Sequence, residues 1–236
     1  MSSLLDSTLP DGRGVGDIVF APGDKTAKTF EFVDVGARNG SYILPRSYAA
    51  RSRMTGFEPN RPEYEKLVND RTDAKAVGLV EPTFRKKDYH PYALWSENAV
   101  RPLYLTVGAG AVTLMGPANE RMTRNMWRER DRGKDFYEKV QKVVGTDSVE
   151  CVTLDHIWRE HKETIDILKL DAEGSELEIL KGAMGLLRDK RVLLIKAEFL
   201  LLPFYESRVT LGHQQVLLDE LGYRLIALDL NHFPYS

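Results

Sequence analysis

Acidic residues that follow apolar segments are the side chains of this sequence best placed to do chemistry. Asp34 lies near the end of the apolar segment 29–35 and is the first residue of the glycine-bearing stretch 34–40 (DVGARNG). Glycine lets a backbone approach a ligand closely, and the amides after such a turn can face an anion. The turn does not match the G-x-G-x-x-G spacing of dinucleotide sites. A carboxylate beside it instead suits a ligand that carries positive charge.

Glu58 is the second acid of interest, because it ends the predicted strand 54–58. It follows the glycine turn by about 20 residues, which is the separation that nucleoside-binding folds use for a ribose-binding carboxylate. A glycine turn alone is most often only a turn, and a single Glu is most often solvated. Together, the two features favour a ligand that contains a nucleoside.

A third group of acids follows the apolar segment 165–170, within the stretch 168–177 (LKLDAEGSEL). We expect Ser175 and Glu176 to cap the helix that comes next, since acids stabilise the first turn of a helix. In parallel sheets, ligands bind beyond the carboxyl ends of the strands. Asp171 or Glu173 is therefore predicted to face the ligand.

The elements that position these acids alternate between strand and helix. Apolar runs predict strands at 29–35, 54–58, 165–170, 192–199 and 224–230. Helices are predicted at 41–53, after Asn60 and Pro62, between 171 and 191, and at 211–221. This alternation predicts an α/β fold with a doubly wound, mostly parallel sheet.

The middle of the chain predicts an insertion into that fold. Four short apolar runs, at 76–80, 92–95, 102–107 and 112–115, together predict one further central strand and a β-hairpin extension. A polar segment of helical composition follows at 119–142. We therefore expect a single domain at 17–236 with an insert at about 100–148, preceded by a flexible leader at 1–16.

Four stretches, in this order, resemble the FkbM-type methyltransferase family: 32–37 (FVDVGA), 57–60 (FEPN), 152–157 (VTLDHI) and 167–177 (ILKLDAEGSEL). The resemblance covers residues 29–230 and implies a class I methyltransferase fold, which is Rossmann-like. It also implies S-adenosylmethionine as the methyl donor and an oxygen of a sugar, glycan or small natural product as the acceptor. The residues implied to bind the cofactor are Asp34, Gly36, Ala37, Asn39, Gly40, Ser41, Glu58, Pro59, Ala93, Leu94 and Asp171.

Arg38 departs from the family, which usually has Asn after Gly-Ala. A cation beside the sulfonium of S-adenosylmethionine would be unfavourable. We therefore expect the Arg38 side chain to point to solvent or towards an anionic acceptor that carries phosphate or carboxylate.

Methylation of a hydroxyl needs a group that removes its proton. The candidate catalytic residues are Asp171, Glu173, Glu198 and His213, with His90 and His156 as further histidines. Glu173 and Glu198 rank first because both follow predicted strands. The three acids could alternatively bind Mg²⁺, which prefers oxygen ligands, but no spacing supports a metal site and none is predicted.

The segment 119–142 is predicted to be a mobile lid that selects the acceptor. It contains eight basic and five acidic residues and few apolar ones. Trp127 and Tyr137 could stack on an acceptor, and the basic residues could bind an anionic one. These basic residues are Arg121, Arg124, Arg128, Arg130 and Arg132.

Composition excludes several other classes of protein. The net charge of −2 gives no general attraction to nucleic acid, and no apolar run is long enough to insert stably in a membrane. A single cysteine cannot form a disulfide within the chain and fits a reducing, cytoplasmic location. Two alternatives stay open, namely an inactive nucleoside-binding module of the same fold and an NAD-dependent oxidoreductase.

Overall fold

The computed structural model describes residues 29–74, 78–126 and 136–229. The predicted leader at 1–16 lies outside these residues. The chain divides into two compact units. The first unit comprises the described residues of Met1–Tyr92, Trp158–Leu170 and Gly185–Ala197, and the second comprises those of Ala93–Ile157, Asp171–Met184 and Glu198–Ser236.

Strands and helices alternate along much of the described chain. The strands are β1 (Phe30–Val35), β2 (Ser52–Phe57), β3 (Lys86–His90), β4 (Ala93–Leu94), β5 (Ala99–Thr106), β6 (Val143–Val152), β7 (Ile165–Leu170) and β8 (Val192–Ala197). The helices are α1 (Arg46–Ala49), α2 (Arg61–Val68), α3 (Glu120–Met126), α4 (Leu154–Ile157), α5 (Glu176–Lys181), α6 (Met184–Arg188) and α7 (Leu211–Glu220). No helix among the described residues is long and apolar enough to cross a membrane.

The first unit contains a five-stranded sheet in the order β3-β2-β1-β7-β8, and every neighbouring pair is parallel. The strand order reverses between β1 and β7, since the chain moves outwards from β1 to β2 and β3, and then returns to the other side. In such sheets, ligands bind beyond the carboxyl ends of the strands at this point of reversal. The predicted doubly wound, mostly parallel α/β fold is confirmed.

Burial of apolar side chains holds this sheet together. All six residues of β1 are buried, as parallel strands covered on both faces require. Phe32, Met54 and Ile167 come from three adjacent strands and pack in one cluster. Each side chain of this size stabilises the fold by about 1.5–3 kcal/mol when fully buried. The strongest part of the sheet is therefore the part from which the glycine turn and Glu58 follow.

The second unit contains a three-stranded sheet in the order β4-β6-β5. β5 pairs antiparallel with β6 over most of its length, whereas the segments 102–107 and 112–115 share only a bridge between Tyr104 and Thr113. The antiparallel pair in this part of the chain is therefore formed by β5 and β6. The pairing of β5 with the distant strand β6 is favoured because it brings Val149 and Cys151 against Leu103 in a buried cluster.

Two helices also differ from the prediction. The expected helix at 41–53 is reduced to α1, because Pro45 sits at its N-cap and β2 already begins at Ser52. The helix expected after β7 is split into α5 and α6 around Gly182. A Cβ at Gly182 would lie 1.9 Å from the carbonyl oxygen of Trp95, so this close backbone contact requires glycine.

Two strands differ as well. β3 (KKDYH) escaped prediction because its alternating side chains are polar or only partly buried. The strand expected at 224–230 is absent from residues 224–229, which carry no strand pairing and are all exposed. Apolar alternation alone did not suffice to place that segment in a sheet.

Candidate functional site

The glycine turn after β1 is fixed to the end of β2. The backbone N–H groups of Gly36 and Ala37 both donate to the carbonyl of Phe57, each over 3.0 Å. Gly36 and Gly40 have φ angles of 76° and 93°, and Asn39 has a φ of 66°. These left-handed conformations favour glycine and asparagine. The turn thus adopts a defined shape next to the end of β2, which Glu58 directly follows.

Asp34 lies at the start of this turn and is 1% exposed. Its Oδ1 accepts a hydrogen bond from Lys169 Nζ over 2.9 Å, and its Oδ2 accepts one from Ser41 Oγ. Asp34 and Lys169 are register partners on β1 and β7, which explains the contact. Lys169 also donates to the carbonyl of Gly36 over 3.2 Å. The Asp34 carboxylate therefore ties the turn to both strands.

Asn39 contributes a buried acceptor to the turn. Its Oδ1 is buried and has no hydrogen-bond partner among the residues that the structure describes. A buried polar atom without a partner is unfavourable by about 1–3 kcal/mol. A ligand that donates a hydrogen bond to this oxygen would remove that penalty.

Glu58 follows β2 and is 6% exposed. Its Oε1 accepts a hydrogen bond from the backbone N–H of Asn60 over 2.8 Å, and no described residue donates to its Oε2. Burial raises the pKa of Glu58 to about 7, against the lowering effect of the Asn60 hydrogen bond. One carboxylate oxygen thus stays available for the hydroxyls of a ligand, and the next residue, Pro59, is partly exposed.

Glu81 could not be identified as a site residue from the sequence, because it belongs to no recognisable motif. Its carboxylate accepts hydrogen bonds from the backbone N–H of Ser41 and the hydroxyl of Tyr89, both over 2.8 Å. Lys87 Nζ donates to it over 2.6 Å. A Cβ at Gly40 would lie 2.8 Å from the same carboxylate, so glycine there makes room for Glu81. Glu81 therefore braces the far end of the glycine turn.

Arg38 differs from what the sequence predicted. Its Nε forms an ion pair of 3.1 Å with the buried Glu63 of α2, and its side chain is 33% exposed. The expectation that Arg38 points only to solvent or an acceptor is wrong, because Glu63 needs a positive partner on being buried. Lys66 binds the other oxygen of Glu63 over 2.9 Å.

The acids after β7 belong to the second unit. Asp171 is exposed, whereas Glu173 is partly buried and its Oε2 accepts a hydrogen bond from Tyr205 Oη over 2.9 Å. Burial raises the pKa of Glu173 to about 7, helped by the negative charges of Asp171 and Glu176. Tyr205, like Glu81, could not be recognised from the sequence.

Glu176 has the structural role that was expected of it. Its Oε1 accepts a hydrogen bond from the backbone N–H of Ala172 over 2.7 Å, just before α5. Ser175 is the N-cap residue of α5, but its side chain makes no capping bond and its Oγ is buried without a partner in the described chain. Burial raises the pKa of Glu176 to about 7.

The other candidate bases have different surroundings. Glu198 is exposed. His213 lies in the first turn of α7, where its Nδ1 accepts from the backbone N–H of Thr210 over 3.2 Å. His90 stacks between Phe57 and Tyr92 in the first unit. His156 is exposed on α4. These contacts give the histidines structural or surface positions.

Ala93 and Leu94, the predicted adenine neighbours, form β4 of the second unit and are 4% and 2% exposed. The alternative of a Mg²⁺ site made by Asp171, Glu173 and Glu198 is not supported. Across residues 29–74, 78–126 and 136–229, no group of three or more such side chains could hold a metal ion.

The predicted lid is described only in part. Arg121 lies on α3 and is exposed, and Tyr137 opens the short π-helical turn Tyr137–Gln141. Trp127 and the basic residues Arg128, Arg130 and Arg132 lie outside the described residues, as does the side chain of Arg124. The role of this segment stays a prediction.

Comparison with known proteins identifies the family of the chain. The family model described as the methyltransferase FkbM domain matches residues 34–225. Among solved structures, the chain is similar to the methyltransferase FkbM from Methylobacillus flagellatus, with 17% identity and a TM-score of 0.40. The match covers 71% of this chain and 32% of that one. No curated protein matches the chain. Because the family model matches well over half of the chain, the chain belongs to the FkbM methyltransferase family.

Proposed function

We propose that this methyltransferase uses S-adenosylmethionine to methylate an oxygen of a sugar, a glycan or a small natural product. The observation that carries the proposal is Glu58, a buried carboxylate with one oxygen that no described residue binds, at the end of the strand beside the glycine turn. A carboxylate in this position is suited to accept both hydroxyls of a ribose.

Several residues of the first unit would hold the cofactor. Glu58 would bind its ribose, and Asn39 would offer its partnerless oxygen to a donor such as the cofactor's ammonium group. Asp34 would act through the turn, since its two oxygens already bind Lys169 and Ser41. When bound, S-adenosylmethionine supplies a methyl group activated by its positively charged sulfur. The protein's contribution is then to orient the reactants and to exclude water.

Glu173 is our candidate for the base that takes the proton of the acceptor hydroxyl. A base works best when its pKa lies near the working pH, and burial raises the pKa of Glu173 to about 7. Glu198 and Asp171 are exposed, whereas Glu173 is partly buried. The predicted strands placed all three acids after strand ends, and the partial burial distinguishes Glu173.

Transfer of labelled methyl from S-adenosylmethionine tests the proposal. The full-length protein would be incubated with methyl-labelled donor and a panel of sugars, glycans and natural products, some with phosphate or carboxylate groups. We expect label in at least one acceptor, and loss of that label with Glu58→Gln. An inactive nucleoside-binding module would bind S-adenosylhomocysteine without transferring label. An oxidoreductase would instead be stabilised against heat by NAD and not by S-adenosylhomocysteine.

A further inference from the structure

Tyr205 makes a contact for which the proposed function does not yet account. Its side chain is 4% exposed, and its hydroxyl donates to Glu173 Oε2 over 2.9 Å. No described residue donates to the other oxygen of Glu173, Oε1. The carboxylate is therefore held at one oxygen and available at the other.

The backbone around Glu173 is arranged for this contact. Glu173 has a φ of 51°, a left-handed conformation that is unfavourable for a residue other than glycine or asparagine. Its carbonyl accepts a hydrogen bond from Thr113 Oγ1 over 2.7 Å, which helps to hold that conformation. At Gly174, a Cβ would lie 2.6 Å from the ring of Tyr205. The lack of a side chain at Gly174 thus lets the tyrosine ring reach over the turn.

Tyr205 is itself held in place. Its backbone forms an antiparallel bridge with Ala118, and its ring packs edge-on against Phe204 with centroids 5.1 Å apart. A buried ring anchored in this way has little freedom to follow Glu173 if the carboxylate moves. The carboxylate must instead adopt the position that the tyrosine hydroxyl defines.

We propose that Tyr205 is a positioning residue that fixes the carboxylate of Glu173, so that its second oxygen can take the proton of the acceptor hydroxyl. The inference rests on the proposed function, in which Glu173 is the base. As the acceptor oxygen forms its bond to the methyl carbon, its proton passes to Glu173, and the sulfur of the donor keeps the electron pair of the broken carbon–sulfur bond.

The contact also has a direct electrostatic consequence. A hydroxyl that donates to a carboxylate favours the charged form and lowers its pKa, against the effect of burial and of the charges on Asp171 and Glu176. The negative charges of Glu198 and Glu176 also act on Tyr205 and help to raise its pKa. Removal of the hydroxyl should therefore make Glu173 a weaker acid, by about tenfold or one pH unit.

The test compares Tyr205→Phe with Tyr104→Phe in the full-length protein. Phenylalanine keeps the ring over Gly174, so the fold should be retained. Tyr104 is a partly buried tyrosine of the same unit whose side chain makes no hydrogen bond in the described chain, which makes it a matched control. The carboxyl of Glu173 is titrated by NMR with ¹³C-labelled glutamate, and its signal is assigned by its loss in Glu173→Gln.

We expect the titration midpoint of Glu173 to rise by about one pH unit in Tyr205→Phe and to stay unchanged in Tyr104→Phe. With an acceptor from the panel, the acid limb of the kcat profile should move to higher pH by the same amount, while the KM for S-adenosylmethionine stays unchanged. A purely structural role would move neither midpoint nor limb. An unchanged midpoint, with S-adenosylhomocysteine still bound, would overturn the positioning role alone. A wild-type protein that binds no S-adenosylhomocysteine would overturn the proposed function instead.

Discussion

The buried carboxylates of the two units bind different kinds of partner. In the first unit, the buried Asp34 pairs with a cation, Lys169, at 2.9 Å. In the second unit, Glu173 and Glu176 accept hydrogen bonds from uncharged groups, a tyrosine hydroxyl and a backbone amide. An ion pair keeps a buried carboxylate charged, whereas neutral donors leave burial free to raise its pKa. The first arrangement builds a rigid turn, and the second leaves a carboxylate whose charge can change near neutral pH.

Lys169→Met should give the largest loss of stability, because it removes the cation that pairs with the buried Asp34 of the first unit. Removal of one partner of a buried ion pair destabilises a protein by about 3–5 kcal/mol. Urea unfolding at pH 8 measures the change. The control is Lys86→Met, whose ion pair with Asp88 is exposed and should contribute less than about 1 kcal/mol. Equal, small losses in both variants would contradict the account of Asp34.

Glu176→Gln should change stability in the opposite direction, so that the free energy of unfolding rises at pH 8. A carboxyl whose pKa is raised from 4.5 to about 7 on folding stabilises the fold below pH 4.5, and this stability is lost as the pH rises through 7. A neutral glutamine avoids the loss, so the variant should be more stable than wild type by about 1–3 kcal/mol at pH 8. At pH 4.5 the two should unfold alike. A variant that is less stable at pH 8 would show that Glu176 is compensated as well as Asp34.

Glu58 is an acid of the first unit whose pKa is raised by burial, as are those of Glu173 and Glu176 in the second. Its pKa of about 7 means that the free protein binds a proton there below pH 7. Ribose hydroxyls would donate to the charged form, so the proton must leave on binding. The Kd for S-adenosylhomocysteine should therefore rise by about tenfold per pH unit below pH 7 and stay level above pH 8. Calorimetry in buffers of different ionisation enthalpy would detect the released proton, and a Kd independent of pH from 5 to 8 would contradict the assignment.

Arg38→Ala should have the smallest effect on the free energy of unfolding. Glu63 keeps its ion pair with Lys66 when Arg38 is removed, and the Arg38 side chain is one-third exposed. We expect a loss of less than about 1 kcal/mol of stability, measured by urea unfolding. The double variant Arg38→Ala, Lys66→Ala should lose more than the sum of the single changes, because Glu63 would then be buried without a cation. Strict additivity would show that Glu63 needs neither partner.

Buried parallel strands were the part of the fold that the sequence predicted best. β1, β7 and β8 are short apolar runs. β1 and β7 are buried on both faces, which favours such continuous runs, whereas β8 lies at the edge of the sheet and is fully buried only at Val192. The acids that follow them could be recognised for the same reason. β3 could not, because its polar residues resemble a loop.

Partners that lie far apart in sequence were the part that could not be predicted. Lys169 lies within a recognisable motif, but its pairing with Asp34 depends on the register of two strands 135 residues apart. Glu81 and Tyr205 stand in segments without periodicity, and each acquires its role only from the turn that it contacts. The sequence therefore located the acids, whereas the groups that set their charge required the structure.

Binding of S-adenosylhomocysteine to wild-type protein and to Glu58→Gln at pH 8 tests the central claim most directly. The control is Glu65→Gln, which changes an exposed acid on the neighbouring helix α2. Calorimetry should show binding to the wild type and to the control, and a Kd about 10- to 100-fold higher for Glu58→Gln, as expected for loss of a charge-assisted hydrogen bond. Equal affinity of all three proteins would contradict the assignment of Glu58 as the ribose ligand, and with it the proposed cofactor site.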